Sequence, residues 1–196
     1  MKVKPVIHKP FITVKKDTPK GISRKKISAN VRMASYDSKE KMTNYLVYTA
    51  KDDLVGLVSL VDRNNGVWVD YIENYYPKKY SNFGAIADQI EVEHCLKRKL
   101  TTFSILSRAT TFSLPFHYNR GKRFRTISDT RDKAFLKEKY GTQNMNTIME
   151  NLLKIFKPQE IHEEIELADI PMYMPKSLIE KYIQVINKYP LLKKIV

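Results

Sequence analysis

The groups that a phosphate-binding loop needs occur in twelve consecutive residues, Asn74-Tyr75-Tyr76-Pro77-Lys78-Lys79-Tyr80-Ser81-Asn82-Phe83-Gly84-Ala85. They separate a stretch rich in β-forming residues from a stretch of helix-forming composition that starts near Phe83. The first amides of a helix have no intrahelical partner, and the helix dipole favours negative charge at that end. Lys78 and Lys79 would add positive charge, while the small Gly84 and Ala85 would let a ligand approach the backbone. The sequence therefore predicts a site for a pyrophosphate.

The elements around this loop can be read from the periodicity of the apolar residues. Strands joined by short turns are predicted at Ile27–Tyr36, Met42–Ala50, Leu54–Val61 and Val67–Glu73. A helix is predicted at Phe83–Lys99, and β composition returns at Thr101–Leu106, so the strand, helix and strand would form a βαβ unit. An antiparallel meander followed by one such unit indicates an α/β fold with a mixed, mostly antiparallel sheet and flanking helices.

The two ends of the chain differ in composition from this central part. Residues 1–26 are rich in Lys and Pro and predict a basic N-terminal arm, in which only Phe11–Val14 suits a short strand. Residues 27–128 form the expected core domain. Residues 129–196 are expected to form a helical extension packed on that core, with amphipathic helices at Asn144–Lys157 and from Ser177 to about Lys188. Their apolar faces suit a core, with a homodimer contact or a lid as alternatives.

The net charge of +14 is concentrated near the N-terminus. Residues 1–41 hold twelve Lys and Arg against three acidic residues. Such a surplus suits a nucleic acid, an anionic surface or an acidic ligand such as a nucleotide cofactor. A solvated, partly disordered tail explains it equally well.

Several classes of protein and site are not expected. The longest apolar runs fall far short of the ~20 residues of a membrane helix, and Met1–Lys20 has no apolar core of a secretory signal. The single cysteine, Cys95, excludes an internal disulfide framework and fits a reducing compartment, with the cytoplasm as the expected location. The four histidines lack the spacing of metal ligands. Cys95 itself is interpreted as a small core residue.

The loop resembles the signature of the GNAT superfamily of acyl-CoA N-acyltransferases, Q/R-x-x-G-x-G/A between a strand and a helix. The signature falls on Lys79-Tyr80-Ser81-Asn82-Phe83-Gly84, with Lys79 in place of Arg or Gln and Asn82 in place of the first glycine. Asn tolerates a positive φ better than most residues, so the loop can keep its shape. The segment Phe116–Phe124 is similar to the family's F-Y-x-x-x-G-F stretch, and the resemblance spans roughly residues 27–128.

The resemblance implies transfer of an acyl group, usually acetyl, from acetyl-CoA to a primary amine by direct attack in a ternary complex. The residues that would hold the coenzyme are those of the loop: Asn74, Lys78, Lys79, Tyr80, Ser81, Asn82, Phe83, Gly84 and Ala85. Two alternatives remain open. One is a GNAT-like module that acts through interaction without catalysis, and the other is a nucleic-acid-binding protein that uses the basic arm.

The resemblance also implies candidates for proton transfer. Acids on the strand before the loop are the usual bases, and here they are Asp70 and Glu73, which strand periodicity turns to opposite faces. Asp70 is expected to share its face with Trp68 and Ile72, and neither acid is favoured. Tyr118 matches the tyrosine that often protonates the leaving thiolate, although a core aromatic side chain is the alternative interpretation.

Overall fold

The structure, a computed structural model, describes residues 9–64, 66–99, 104–109, 113–165, 167 and 170–192. The chain divides into two compact units, one made of residues 1–105 and 179–196 and the other of residues 106–178. The α/β fold with a mostly antiparallel sheet and flanking helices, expected from the periodicity, is confirmed. The division into an arm, a core and an extension at residues 26 and 128 stays a prediction.

The first unit is built on an antiparallel sheet of six strands, β1 (Phe11–Thr18), β2 (Gly21–Asp37), β3 (Met42–Thr49), β4 (Leu54–Arg63), β5 (Gly66–Asn74) and the short β6 (Tyr80–Ser81). Their order in the sheet is β6-β1-β2-β3-β4-β5. The four strands predicted from the sequence correspond to β2–β5. The strand predicted at Phe11–Val14 is longer and pairs along its whole length with β2, so residues 11–26 belong to this sheet.

Helix α1 (Phe83–Lys97) packs against β4 and β5 and is buried on almost every side. The sequence indicated apolar positions separated by charges, yet Asp88, Glu91 and Glu93 are as buried as the apolar residues. The C-terminal segment explains part of this burial. The Glu93 carboxylate accepts hydrogen bonds from the backbone amides of Leu191 and Leu192 at 2.9 and 2.8 Å.

A buried chain of hydrogen bonds ties α1 to the sheet. The Tyr45 hydroxyl lies 2.7 Å from His94 Nδ1, and His94 Nε2 lies 2.6 Å from Asp62 Oδ1. A carboxylate only accepts, so Nε2 carries the proton and Nδ1 of a neutral imidazole accepts from the tyrosine hydroxyl. Burial lowers the pKa of His94, although the hydrogen bond to Asp62 opposes this, and Arg98, 3.3 Å from Asp62, lowers the pKa further.

The second unit contains α2 (Leu114–Asn119), α3 (Thr130–Tyr140), α4 (Met145–Ile155), the 3₁₀ turn Ile161–Glu163 and the strands β8 (Arg123–Phe124) and β9 (Ile170–Tyr173). Strand β9 pairs antiparallel with β8 and with β7 (Ser104–Ala109). Asp129 and Asn144 are the N-cap residues of α3 and α4, and their side chains accept hydrogen bonds from first-turn amides. Apolar side chains from all these helices meet in one core. Most of the last helix, α5 (Lys176–Lys188), belongs to the first unit, which includes residues 179–196.

Candidate functional site

The candidate loop starts where β5 ends, and the Asn74 side chain shapes it. Asn74 Oδ1 accepts a hydrogen bond from the Tyr76 amide at 3.0 Å, and Nδ2 donates to the Tyr80 carbonyl at 2.9 Å. The amides of Lys79 and Tyr80 both donate to the Tyr76 carbonyl, at 3.0 and 2.8 Å. The side-chain amide of Asn74 is thus used within the loop, and a coenzyme contact at Asn74 stays a prediction for its backbone.

Two buried aromatic side chains anchor the end of the loop. Tyr80 and Phe83 are 1% and 4% exposed, and the Phe83 ring lies against the sheet at Gly56. A Cβ atom at position 56 would lie 2.0 Å from the Glu73 carbonyl oxygen and 2.8 Å from Phe83 Cζ. Only glycine therefore allows this close approach of helix and sheet. Tyr80 and Phe83 position the backbone of the loop, and their side chains belong to the core.

Asn82 adopts the backbone conformation that the sequence analysis required of it. Its φ of 67° and ψ of 11° lie in the left-handed region, at the N-cap position of α1. The Asn82 Nδ2 atom donates to the Phe11 carbonyl at 2.8 Å, so this side chain does not cap the helix. The Ala85 amide donates a hydrogen bond to the Asn82 carbonyl at 3.2 Å. The amides of Phe83 and Gly84 thus begin the helix with no capping side chain.

Strand β1 holds the loop from the other side, a contact that the sequence analysis missed. Val14 and Thr13 pair with Tyr80 and Ser81, and the Lys15 amide donates to the Lys79 carbonyl at 2.8 Å. The only signal for it was the short apolar run at Phe11–Val14. Its partner strand has two residues, too few to be recognised by periodicity.

The side chains left for an incoming anion are those of the two lysines and Ser81. Lys78 and Lys79 are exposed, and Lys79 Nζ lies 4.9 Å from the centroid of the Tyr80 ring. Ser81, Gly84 and Ala85 are half-buried. The arrangement combines two cations, a hydroxyl and the positive end of a helix at one turn, which is the chemistry that attracts a phosphate.

Strand β5 carries a β-bulge at Asp70. Val69 pairs with Leu60 and Tyr71 with Ser59, so Asp70 is the extra residue between them. Bulges are common next to active sites because they redirect side chains. Asp70 is exposed at this irregularity.

The bulge overturns the expected alternation of side chains along β5. Trp68 pairs with Val61, and Glu73 pairs with Leu57. Val61 and Leu57 are four residues apart on β4 and so lie on the same face of the sheet, and their partners Trp68 and Glu73 therefore share that face. Ile72 lies on the other face. The expectation that Trp68 and Ile72 lie together, opposite Glu73, is wrong, because one inserted residue changes the parity of everything beyond it.

Glu73 has a local partner on its own face. Hydrogen bonding to the Glu73 carboxylate, together with the carboxylate charge, raises the pKa of Tyr71. Tyr71 is exposed and Glu73 is half-buried at the end of β5, directly before Asn74. Glu73 and the loop therefore lie together in the first unit.

Tyr118 lies in the second unit, in α2, and is 7% exposed. Its ring stacks on Phe124 with centroids 5.6 Å apart, and the Arg123 guanidinium carbon lies 4.4 Å from its centroid. The hydroxyl donates to Glu150 Oε1 at 2.8 Å. Burial is the larger cause and this hydrogen bond the smaller one of a rise in the pKa of Tyr118 to about 12. The phenol is thus protonated at neutral pH, and its proton is already shared with a carboxylate.

Cys95 and groups of possible metal ligands are the other candidates for chemistry among the described residues. Cys95 is fully buried, and burial raises the pKa of its thiol to about 12, which suits a core residue. Among the described residues, no three His, Cys, Asp or Glu side chains are grouped as a metal ion requires. None of the described helices combines the length and the apolar character needed to cross a bilayer.

Comparison with known proteins finds similarity only among solved structures. No protein-family model and no curated protein matches the chain. The structure of nourseothricin acetyltransferase has 14% identity and a TM-score of 0.41, with 85% of each chain covered. A GNAT-family acetyltransferase from Staphylococcus aureus has 12% identity and a TM-score of 0.40, covering 69% of this chain and 68% of that one. A spermidine N-acetyltransferase chimera from Vibrio cholerae and hSSAT has 14% identity and a TM-score of 0.42, covering 73% and 69%. Similarity of this extent, with identities of 12–14% and TM-scores of 0.40–0.42, says nothing of the reaction of this chain.

Proposed function

We propose that this protein is an acyl-CoA-dependent N-acyltransferase that transfers an acetyl group from acetyl-CoA to a primary amine. The observation that carries the proposal is the start of α1, where Asn82 in the left-handed conformation presents a helix end without a capping side chain beside Lys78 and Lys79. A pyrophosphate would take its hydrogen bonds from backbone amides there and its charge balance from the lysines.

The residues of this chain would act by positioning and by moving protons. Acetyl-CoA would supply the activated thioester, whose carbonyl carbon the amine nitrogen attacks. An amine of the lysine type has a pKa of about 10.4, so a base must remove its proton. Glu73, half-buried where β5 meets the loop, and Asp70, exposed at the bulge, are the two candidates. The carbon–sulfur bond then breaks, and the thiolate takes up a proton to leave as the coenzyme A thiol.

Calorimetric titration with acetyl-CoA tests the first step. We expect saturable binding that weakens in the double variant K78Q/K79Q and is retained in K51Q, which removes an exposed lysine outside the loop. Binding to the folded form also raises the melting temperature of the protein. Absence of both heat and a melting shift at millimolar acetyl-CoA would remove the enzyme proposal.

The second step is tested by measuring release of the coenzyme A thiol with a panel of primary amines. Glu73→Gln and Asp70→Asn keep the side-chain shape and remove one base each. The variant that has lost the base should show a lower kcat, with the loss partly recovered at higher pH, where more of the amine is neutral. Binding of acetyl-CoA without transfer to any amine would favour the non-catalytic module.

A further inference from the structure

The hairpin of β1 and β2 extends beyond the core as a strongly basic ribbon, here called the basic ribbon, residues Lys15–Lys26. Its twelve residues include six basic side chains and one acid, Asp17. The register is regular from Phe11 opposite Ser28 to Thr18 opposite Gly21. The Thr18 hydroxyl donates to the Gly21 carbonyl at 2.6 Å and thereby closes the turn.

The basic ribbon is exposed on both faces. All residues from Lys16 to Lys26 are exposed, so no part of the first unit covers this portion of the hairpin. Its largest exposed apolar side chain is Ile22, with 60% of its area accessible. The hairpin is therefore held by its own backbone pairing and by the Ser23 hydroxyl, which donates to the Lys16 carbonyl at 3.2 Å.

The cations of the basic ribbon repel each other in the folded state. Lys15 lies directly opposite Arg24, and like charges in this position destabilise a strand pair. Across the described ranges no ion pair joins any of the six cations to an acidic side chain. Folding thus assembles an uncompensated positive surface, as an anionic partner would require.

The cations also occupy both faces of the basic ribbon. Cross-strand partners project from the same side, which places Lys15, Arg24 and Lys26 on one face and Lys16 and Lys25 on the other. Alternate residues of a strand are about 6.7 Å apart, so each face carries a spaced row of charge. A flat membrane or an acidic protein surface would meet only one of these faces. The major groove of B-form DNA, about 12 Å wide, admits a two-stranded ribbon and has phosphates on both walls.

We propose that the basic ribbon binds duplex DNA by inserting into the major groove, with both of its faces contacting phosphates. Recognition rests on charge and groove shape, so it is expected to depend weakly on base sequence. This activity is independent of acyl transfer, because it uses none of the side chains assigned to the coenzyme or to catalysis.

The test is binding of the full chain to a short DNA duplex by fluorescence anisotropy over a series of salt concentrations. The logarithm of the association constant should fall linearly with the logarithm of salt, with a slope of about −0.9 for each phosphate contact. Two face-specific variants, R24Q/K26Q and K16Q/K25Q, should each reduce this slope by about 1.8. A control with the same charge removed elsewhere, K51Q/K137Q, should keep the slope of the wild type.

Four results would overturn the proposal. The first is equal loss in the control and in the ribbon variants, which would make binding a matter of net charge. The second is an effect confined to one face, which would indicate a flat partner. The third is equal affinity for an RNA duplex, whose deep and narrow major groove excludes a ribbon. The fourth is stronger binding to phosphatidylserine-containing vesicles than to DNA. All substituted positions are exposed, so circular dichroism should show an intact fold.

Discussion

Gly56 offers the sharpest test of how the sheet positions the start of α1. We expect Gly56→Ala to lower the free energy of unfolding by about 1–3 kcal/mol, the usual cost of forcing an extra group into a packed core. The new Cβ would lie 2.0 Å from the Glu73 carbonyl oxygen and 2.8 Å from Phe83 Cζ. The first of these is a backbone atom, which no side-chain rotation can move away, so β4, β5 or the helix must shift.

The consequence extends from stability to the candidate site. A shift of Phe83 moves the first turn of α1, and a shift of Glu73 moves the strand end that precedes the loop. We therefore expect acetyl-CoA binding to weaken in Gly56→Ala as well. Urea unfolding would give the stability, and calorimetric titration would give the affinity.

Two further variants separate the physical causes. Phe83→Leu in the Gly56→Ala background replaces the ring with a shorter side chain and so relieves only the contact with Phe83 Cζ. Most of the loss in unfolding free energy should persist, because the contact with the Glu73 carbonyl oxygen is the closer one. Gly141→Ala introduces a side chain at a φ of +71° with nothing within 4 Å of the new Cβ. It should cost about 1–2 kcal/mol through backbone strain alone and leave coenzyme affinity unchanged. A Gly56→Ala protein with the stability and the affinity of the wild type would refute this reasoning.

Three more predictions concern named hydrogen bonds. Burial lowers the pKa of His94 below its ordinary 6.5, so the unfolded chain binds the proton more tightly than the folded one. The free energy of unfolding should therefore fall as the pH drops through about 6.5. Thermal melts at several pH values should show a weaker pH dependence in His94→Asn. Glu93→Ala removes the acceptor of the two amides at Leu191–Leu192 and should cost about 1–3 kcal/mol, with faster hydrogen exchange at those amides as the readout. Tyr118→Phe loses the bond to Glu150 and should cost about 0.5–1.5 kcal/mol without changing the rate of thiol release; a lower rate would instead assign Tyr118 the role of proton donor.

The sequence predicted the elements whose composition is typical of one kind of secondary structure over many residues. Strands β2–β5 and helix α1 were all recognised, because β-forming or helix-forming residues continue through most of each element. The positive φ of Asn82 was also expected, since a glycine position of the signature is filled by one of the few other residues that tolerate it.

Other features could not be predicted because they depend on contacts distant in sequence. The bulge at Asp70 leaves no mark in a run of β-forming residues, and it alone reversed the faces expected for Trp68 and Ile72. The buried carboxylate of Glu93 looks like an exposed helix position until the segment at Leu191–Leu192 covers it. In each case a partner elsewhere in the chain decides the environment, and local composition does not encode it.

The pairing of β1 with the loop changes how the N-terminal residues must be tested. Deleting residues 1–26 would remove the basic ribbon, but it would also remove the Phe11 carbonyl that holds Asn82 and the Lys15 amide that holds Lys79. Loss of both DNA and acetyl-CoA binding in such a deletion would therefore not link the two activities. Charge substitutions that keep the backbone leave these bonds in place. If R24Q/K26Q and K16Q/K25Q weaken DNA binding and leave acetyl-CoA binding unchanged, the hairpin has two separable roles, one through its side chains and one through its backbone.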